Sequence, residues 1–223
     1  MATLIMTCWA IWKARNDMVW KQLQPSVDRV LSISQSCLHQ WLEAQKYFHP
    51  SQMFQRGVAY QERWTKPHDG MMKINVDVSV HATENRFGFG CVARDSNGLF
   101  LEALCGRRRG KVSAVLGEAL SIKEALSWIQ RKDWANVIVE SDCLVVVHAI
   151  QHQVQMFSPL GLIISDCCSF LSSLKNVSIF FVKRSANQVA HFLATAPEFT
   201  TDCILNQEHL PALCNSLLLA DLA

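Results

Sequence analysis

Residues 73–80, KINVDVSV, combine the pattern of a buried β-strand with an acidic residue in its middle. Ile74, Val76 and Val78 are β-branched and stand at every second position, which is typical of a strand with one apolar face. A carboxylate such as Asp77 is costly inside a sheet unless a cation or hydrogen bonds compensate its charge. The stretch therefore indicates either a functional site or an exposed strand edge, and other acidic residues must decide between them.

The residues after Gly70 alternate between strand and helix patterns. The strand at 72–80 is followed by residues 86–106, which predict two antiparallel strands, because Asn-Gly within them is a strong hairpin signal. Residues 113–131 carry a clear helical stripe of apolar side chains. Further segments predict a strand at 136–142, helices at 143–150 and 159–174, a strand at 177–184 and a helix at 187–196. An early meander followed by alternating helices and strands predicts an α/β fold with a mixed sheet covered by helices.

Composition shifts divide the chain into four predicted segments. These are a helical extension at 1–48, a polar linker at 49–70, the α/β domain at 71–197 and a tail with one short apolar helix at 198–223. The extension predicts a pair of helices with a break at Pro25 and Ser26 as the N-cap of the second. The tryptophans of this extension favour a packing surface over a cofactor site.

Overall composition excludes several classes of protein. The net charge of +2 does not by itself indicate a polyanion partner. Nine cysteines without CxxC or Cys/His spacing indicate reduced thiols in an intracellular protein and predict no zinc site. The apolar start of about a dozen residues is too short to span a bilayer, and its positive charges follow it, so we expect neither a membrane span nor a secretory signal. An intracellular protein of this kind would lie in the nucleus or the cytoplasm.

Three acidic residues are expected to meet in the domain. Asp77 lies in the first strand, Glu118 near the start of the strong helix, and Asp142 at the end of the fourth strand. If the first and fourth strands are neighbours, all three carboxylates converge, and only a cation makes that arrangement tolerable. Oxygen ligands select Mg²⁺ or Mn²⁺, and two ions about 4 Å apart would clamp the attacking water and the leaving oxygen of a phosphodiester.

Each acid also has an ordinary structural interpretation. Asp77 could face solvent at a strand edge, Glu118 could favour the helix dipole, and Asp142 could cap the following helix. Their joint order along the chain favours the metal site.

Five segments resemble the ribonuclease H-like domain of the plant reverse-transcriptase-associated type, which is found in retroelement-derived reading frames. They are KINVDVSV, FGFGCVARDSNGLFLEA, GEALSIKEAL, VIVESDCLVVVHAI and FVKRSANQVAHFLA. The resemblance implies a five-stranded mixed sheet with the first strand central, and two-metal hydrolysis of the RNA strand of RNA–DNA hybrids. Asp77, Glu118 and Asp142 match the first three metal-ligating acids of the family, and His191 takes the place of the fourth catalytic acid.

Two departures and several polar residues complete the candidate site. His191 suits Mg²⁺ less well than an acid, and Val78 replaces a glycine of the family, so that its side chain is expected to crowd an approaching hybrid. The residues expected to contact nucleic acid are Ser79, Arg107, Arg108, Arg184 and Asn187. We interpret the run RRRGK at 107–111 as a loop that either contacts phosphate or is simply solvated.

Three functions follow from these patterns. The first is a metal-dependent ribonuclease H. The second is a weakened or inactive relative that binds hybrid or double-stranded RNA without cutting it. The third is an interaction fragment whose N-terminal helices dock on a partner protein of unknown identity.

Overall fold

A computed structural model describes residues 2–47, 63–154, 156, 158–196, 199 and 201–222. The chain divides into two compact units, Met1–Val58 and Ala59–Ala223. Most of the predicted linker at 49–70 lies outside the described residues, so its bounds stay a prediction. Among the helices described, none combines the length and apolar character needed to cross a membrane.

The first unit contains the two helices that the sequence predicts. They are α1 (Ala2–Lys21) and α2 (Val27–Tyr47), and the Thr7 and Ser34 hydroxyl oxygens, one on each helix, lie 2.9 Å apart. Ser26 Oγ accepts a hydrogen bond from the backbone N–H of Arg29 at 3.2 Å, which confirms the predicted N-cap. Docking of this helix pair on a partner protein stays a prediction.

The second unit is a mixed α/β fold built on one sheet. Its elements are β1 (Met72–His81), β2 (Arg86–Arg94), β3 (Phe100–Arg109), α3 (Ala114–Arg131), β4 (Val137–Ser141), α4 (Leu144–Gln151), α5 (Pro159–Ser173), β5 (Val177–Phe181), α6 (Gln188–Thr195), β6 (Cys203–Leu205) and α7 (Ala212–Asp221). The sheet has six strands in the order β5-β4-β1-β2-β3-β6. The expected count of five is therefore wrong by one, because the tail contributes β6 in addition to its predicted helix.

Strand register fixes the position of the acidic residues. β1 is central, antiparallel to β2 and parallel to β4. Val76 pairs with Ser141, so the chain leaves β4 directly beside Asp77. The predicted β2–β3 hairpin is present. Asp95 Oδ1 closes its turn by accepting hydrogen bonds from the backbone N–H groups of Asn97 and Leu99. The carboxyl end of β4 thus meets the middle of β1.

Two apolar clusters cover the two faces of the sheet. The larger joins the sheet to α3, α4 and α5 and is centred on buried side chains such as Ile122 and Trp128. The smaller joins β2, β3 and β6 to α6 and α7, with Leu193 and Leu218 among its members. The tail therefore forms part of the domain core, which its composition alone did not predict.

Candidate metal centre

Three carboxylates from three elements meet at the centre of the sheet. Asp77 projects from β1, Glu118 from the second turn of α3, and Asp142 from the residue that follows β4. Each offers one oxygen, and these oxygens all lie within 4.8 Å of one another. The predicted convergence is confirmed, and the arrangement is one that could hold a metal ion.

The electrostatics of this carboxylate cluster, Asp77, Glu118 and Asp142, are unfavourable without a cation. Asp77 is only 1% exposed. Burial, followed by the charges of Asp77 and Asp142, raises the pKa of Glu118 to about 9. Burial and the Asp77 charge likewise raise the pKa of Asp142, although nearby Arg184 opposes the shift. Glu118 Oε2 is buried without a hydrogen-bond partner in the described part of the chain. The cluster therefore carries negative charge that its surroundings leave largely uncompensated.

His191 and Arg184 lie against the cluster, as the sequence predicts. His191 Nδ1 is 2.6 Å from Asp77 Oδ2, and Arg184 Nη2 is 3.2 Å from His191 Nε2. A ring protonated on Nδ1 donates to Asp77 while its Nε2 accepts from Arg184, which satisfies both contacts. Arg184 Nη1 is also 3.9 Å from Asp142 Oδ2. Arg184, just before α6, and His191, in the first turn of α6, form one wall of the site.

Asn187 connects the same segment to the sheet. Its side chain is fully buried, and Nδ2 donates to the backbone oxygen of Val76 at 2.9 Å and to Asp142 Oδ1 at 3.4 Å. The bond to Asp142 Oδ1 orients the Asp142 carboxylate beside β1. Asn187 therefore belongs to the site as a positioning residue, whereas its predicted contact with nucleic acid stays a prediction.

The Val78 side chain packs inside the protein. The residue is 8% exposed, and a Cβ atom at Gly117 would lie 3.1 Å from Val78 Cγ2. The missing side chain at Gly117, next to Glu118 in α3, makes room for Val78. The expectation that Val78 crowds an approaching hybrid is therefore wrong, because its side chain packs into the protein.

The other predicted nucleic-acid contacts lie in strands and bond within the protein. Arg107 and Arg108 belong to β3, so the loop assigned to them is wrong. Arg107 Nη2 donates to two carbonyl oxygens at the end of α6, and Arg108 pairs with Asp202 and Glu124. The Ser79 hydroxyl contacts a histidine ring on its own strand. Contact of these three residues with nucleic acid stays a prediction.

A second group of buried charges, the buried ion-pair network, was not predicted from the sequence. Lys73 Nζ lies 2.7 Å from Glu140 Oε1, and Asn75 Nδ2 donates to Glu140 Oε2 at 2.9 Å. Arg94 donates to Asn75 Oδ1 at 2.7 Å and pairs with Asp221 at 2.6 Å. The alternation within KINV, which places Lys73 and Asn75 on one face of β1, is the signal that could have revealed it.

Comparison with known proteins agrees with this architecture. The sequence profile of a family described as reverse transcriptase-like matches residues 75–196, which include the carboxylate cluster and His191. A protein of Arabidopsis thaliana, provisionally named as a ribonuclease H protein, is 29% identical over 134 residues. That match covers 59% of this chain but only 21% of the relative, so the chain spans about a fifth of the length of the curated relative it matches.

Solved structures show the same fold at low sequence identity. Ribonuclease H1 of Halobacterium salinarum NRC-1 is 17% identical with a TM-score of 0.52, covering 56% of this chain and 95% of the archaeal one. LC9-RNase H1, described as a type 1 enzyme with the type 2 active-site motif, is 14% identical with a TM-score of 0.50, covering 68% and 86%. The likeness shows that residues of the second unit adopt a ribonuclease H-like fold.

Proposed function

Because this chain belongs to the reverse transcriptase-like family, we propose that it is a metal-dependent ribonuclease that hydrolyses the RNA strand of RNA–DNA hybrids. The observation that carries the proposal is the approach of three carboxylate oxygens to within 4.8 Å of one another. Mutual repulsion makes that arrangement unfavourable unless a cation binds there. The ribonuclease H-like fold supports the choice of substrate.

The residues present fit a hard divalent ion. Asp77, Glu118 and Asp142 supply only oxygen ligands, which Mg²⁺ and Mn²⁺ prefer. Oε2 of Glu118, which has no hydrogen-bond partner among the described residues, is buried in the same place. Two bound ions would supply an activated water and stabilise the leaving oxygen of the phosphodiester.

The chain's own residues hold and orient the reactants. Asp77 and Asp142 would provide the ligands on the sheet, and Asn187 keeps Asp142 turned toward Asp77. Glu118 would provide the third ligand and would contact the ribose 2′-hydroxyl that distinguishes RNA from DNA. Arg184, which is largely exposed, provides a cation for a substrate phosphate. Ser79, Arg107 and Arg108 would extend the contact with nucleic acid.

The direct test is cleavage of an end-labelled RNA–DNA hybrid by the purified chain in Mg²⁺ and in Mn²⁺. Asp77→Asn should lower the rate by at least about 100-fold, because it removes a ligand charge from the centre. Asp133→Asn is the matched control, because Asp133 is exposed and its left-handed backbone (φ 50°) suits asparagine. Equal cleavage by wild type and Asp77→Asn would contradict the proposal.

A second function, hybrid binding without cleavage, is favoured by one contact. His191 already occupies Asp77 Oδ2 at 2.6 Å, so one ligand oxygen is engaged by the protein itself. A binding module would hold the hybrid with a strong salt dependence and no turnover in either metal. His191→Asp should then create cleavage. If that variant binds hybrid but stays inert, a site weakened by His191 is not the explanation.

A further inference from the structure

Two cysteine sulfurs lie in contact at the edge of the sheet, between β3 and β6. Cys105 of β3 is paired directly with Cys203 of β6, and their Sγ atoms are 3.3 Å apart. Directly paired residues of antiparallel strands have Cα atoms about 4.5–5.5 Å apart, which is within the range that a disulfide bridges. We propose that Cys105 and Cys203 form a redox-sensitive dithiol that a small-molecule disulfide, such as oxidised glutathione, converts to an intrachain disulfide.

The position of the two sulfurs is set by a second contact beside them. A Cβ atom at Gly106 would lie 2.9 Å from the Cα atom of Asp202, so only glycine lets the β6 segment approach this closely. Asp202 also forms an ion pair with Arg108 of β3. Gly106 and Arg108 therefore fix the position of Asp202, the residue before Cys203, and so keep the two sulfurs in contact.

Exposure determines the order of the reaction. Cys203 is partly exposed, whereas Cys105 is fully buried and burial raises the pKa of its thiol. The deprotonated Cys203 sulfur attacks oxidised glutathione, breaks its S–S bond and releases one glutathione thiolate. Cys105 then gives up its proton and attacks the Cys203 sulfur of the mixed disulfide, which releases the second glutathione. Both cysteines are oxidised, and one glutathione disulfide is reduced to two thiols.

The consequence is a covalent link between the tail and the family-matched part of the chain. β6 lies beyond residues 75–196 and pairs with β3 through only three residues. When the thiols are reduced, this short strand is held by its pairing, its apolar contacts and the Arg108–Asp202 ion pair. When they are oxidised, β6 cannot leave, so β3 stays covered instead of becoming an exposed sheet edge.

The test equilibrates the purified full chain in glutathione buffers of increasing oxidised fraction, traps the free thiols and maps linked peptides without reduction. We expect one dominant link, Cys105 to Cys203, and a rise in Tm of about 5 °C in the oxidised protein. Cys203→Ser should abolish both effects. Cys214→Ala is the control, because it removes another buried sulfur of the same apolar cluster and should leave both effects in place.

A further variant tests the geometry with both thiols present. Gly106→Ala should lower the linked fraction several-fold at a fixed glutathione ratio, because its Cβ displaces Asp202 and with it Cys203. Absence of the Cys105–Cys203 peptide at the most oxidising ratio would overturn the proposal, and so would a different dominant cysteine pair.

Discussion

Strands β1 and β4 border two groups of buried acids that differ in how their charge is compensated. In the buried ion-pair network, both oxygens of Glu140 have partners, at 2.7 Å from Lys73 Nζ and 2.9 Å from Asn75 Nδ2. In the carboxylate cluster, Glu118 Oε2 has no partner in the described part of the chain, and burial together with like charges raises the pKa of Glu118. Glu140 is a structural acid, because Lys73 supplies the positive charge beside it. The carboxylate cluster receives too little positive charge from the chain, so we infer that it is a site for an external cation.

The largest expected effect on stability comes from removing one charge of the buried ion-pair network. Glu140→Gln leaves the buried Lys73 ammonium without a counter-charge, so the free energy of unfolding should fall by about 3 kcal/mol. Urea unfolding of the purified chain measures this loss. Glu102→Gln is the control, because its ion pair with Lys132 is partly exposed and should be worth at most about 1 kcal/mol. A smaller loss for Glu140→Gln than for Glu102→Gln would remove the contrast.

The same substitution, Glu to Gln, should stabilise the protein when it is made in the carboxylate cluster. At pH 8 the folded protein must hold Glu118 protonated, whereas Glu118→Gln is neutral without taking up a proton and keeps a donor toward Asp77, so in a chelator it should raise the free energy of unfolding by about 2–3 kcal/mol. Urea unfolding in the same buffer makes the comparison. Destabilisation equal to that of Glu140→Gln would show that the two groups do not differ.

Stability of the metal-free wild type should fall as pH rises. The pKa of Glu118 is raised from the usual 4.5 to about 9 in the folded protein, so between these values the folded state binds more protons than the unfolded state. This contribution is present in full below pH 4.5 and is lost as pH approaches 9. We expect a loss of roughly 2–3 kcal/mol between pH 6 and pH 8 in a chelator. Glu118→Gln should flatten that slope, and an unchanged slope would contradict the assignment.

The smallest predicted effect concerns His191. His191→Asp adds a fourth carboxylate beside Asp77, so Mg²⁺ should bind about 10-fold more tightly while the chelated protein becomes less stable. Calorimetric titration with Mg²⁺ gives the affinity. His191→Asn is the control, because it removes the ring without adding charge, and equal Mg²⁺ affinity in both variants would show that charge at this position is unimportant.

The sequence predicts the carboxylate cluster better than it predicts strands β3 and β6 at the edge of the sheet. Each acid follows or interrupts a strongly periodic segment, and one parallel pairing of strands brings all three together. β6 has three residues, too few to show an alternating pattern, so the sixth strand was missed. Three adjacent arginines likewise hide the alternation of β3.

The remaining misses depend on tertiary contacts. Lys73 reaches Glu140 only through the register of β1 with β4, which pairs Asn75 with Glu140. Val78 is accommodated by Gly117 on a different element, and a single sequence does not show such a complementary pair.

The most direct test of the central claim is the change in Tm when Mg²⁺ or Mn²⁺ is added to the chelated protein at pH 8. Ions that bind the folded cluster should raise the Tm of the wild type progressively with concentration. Glu118→Gln should start from a higher Tm and gain much less from either ion. A wild-type Tm that does not respond to either ion up to roughly 10 mM, well above the usual range for such sites, would contradict the account.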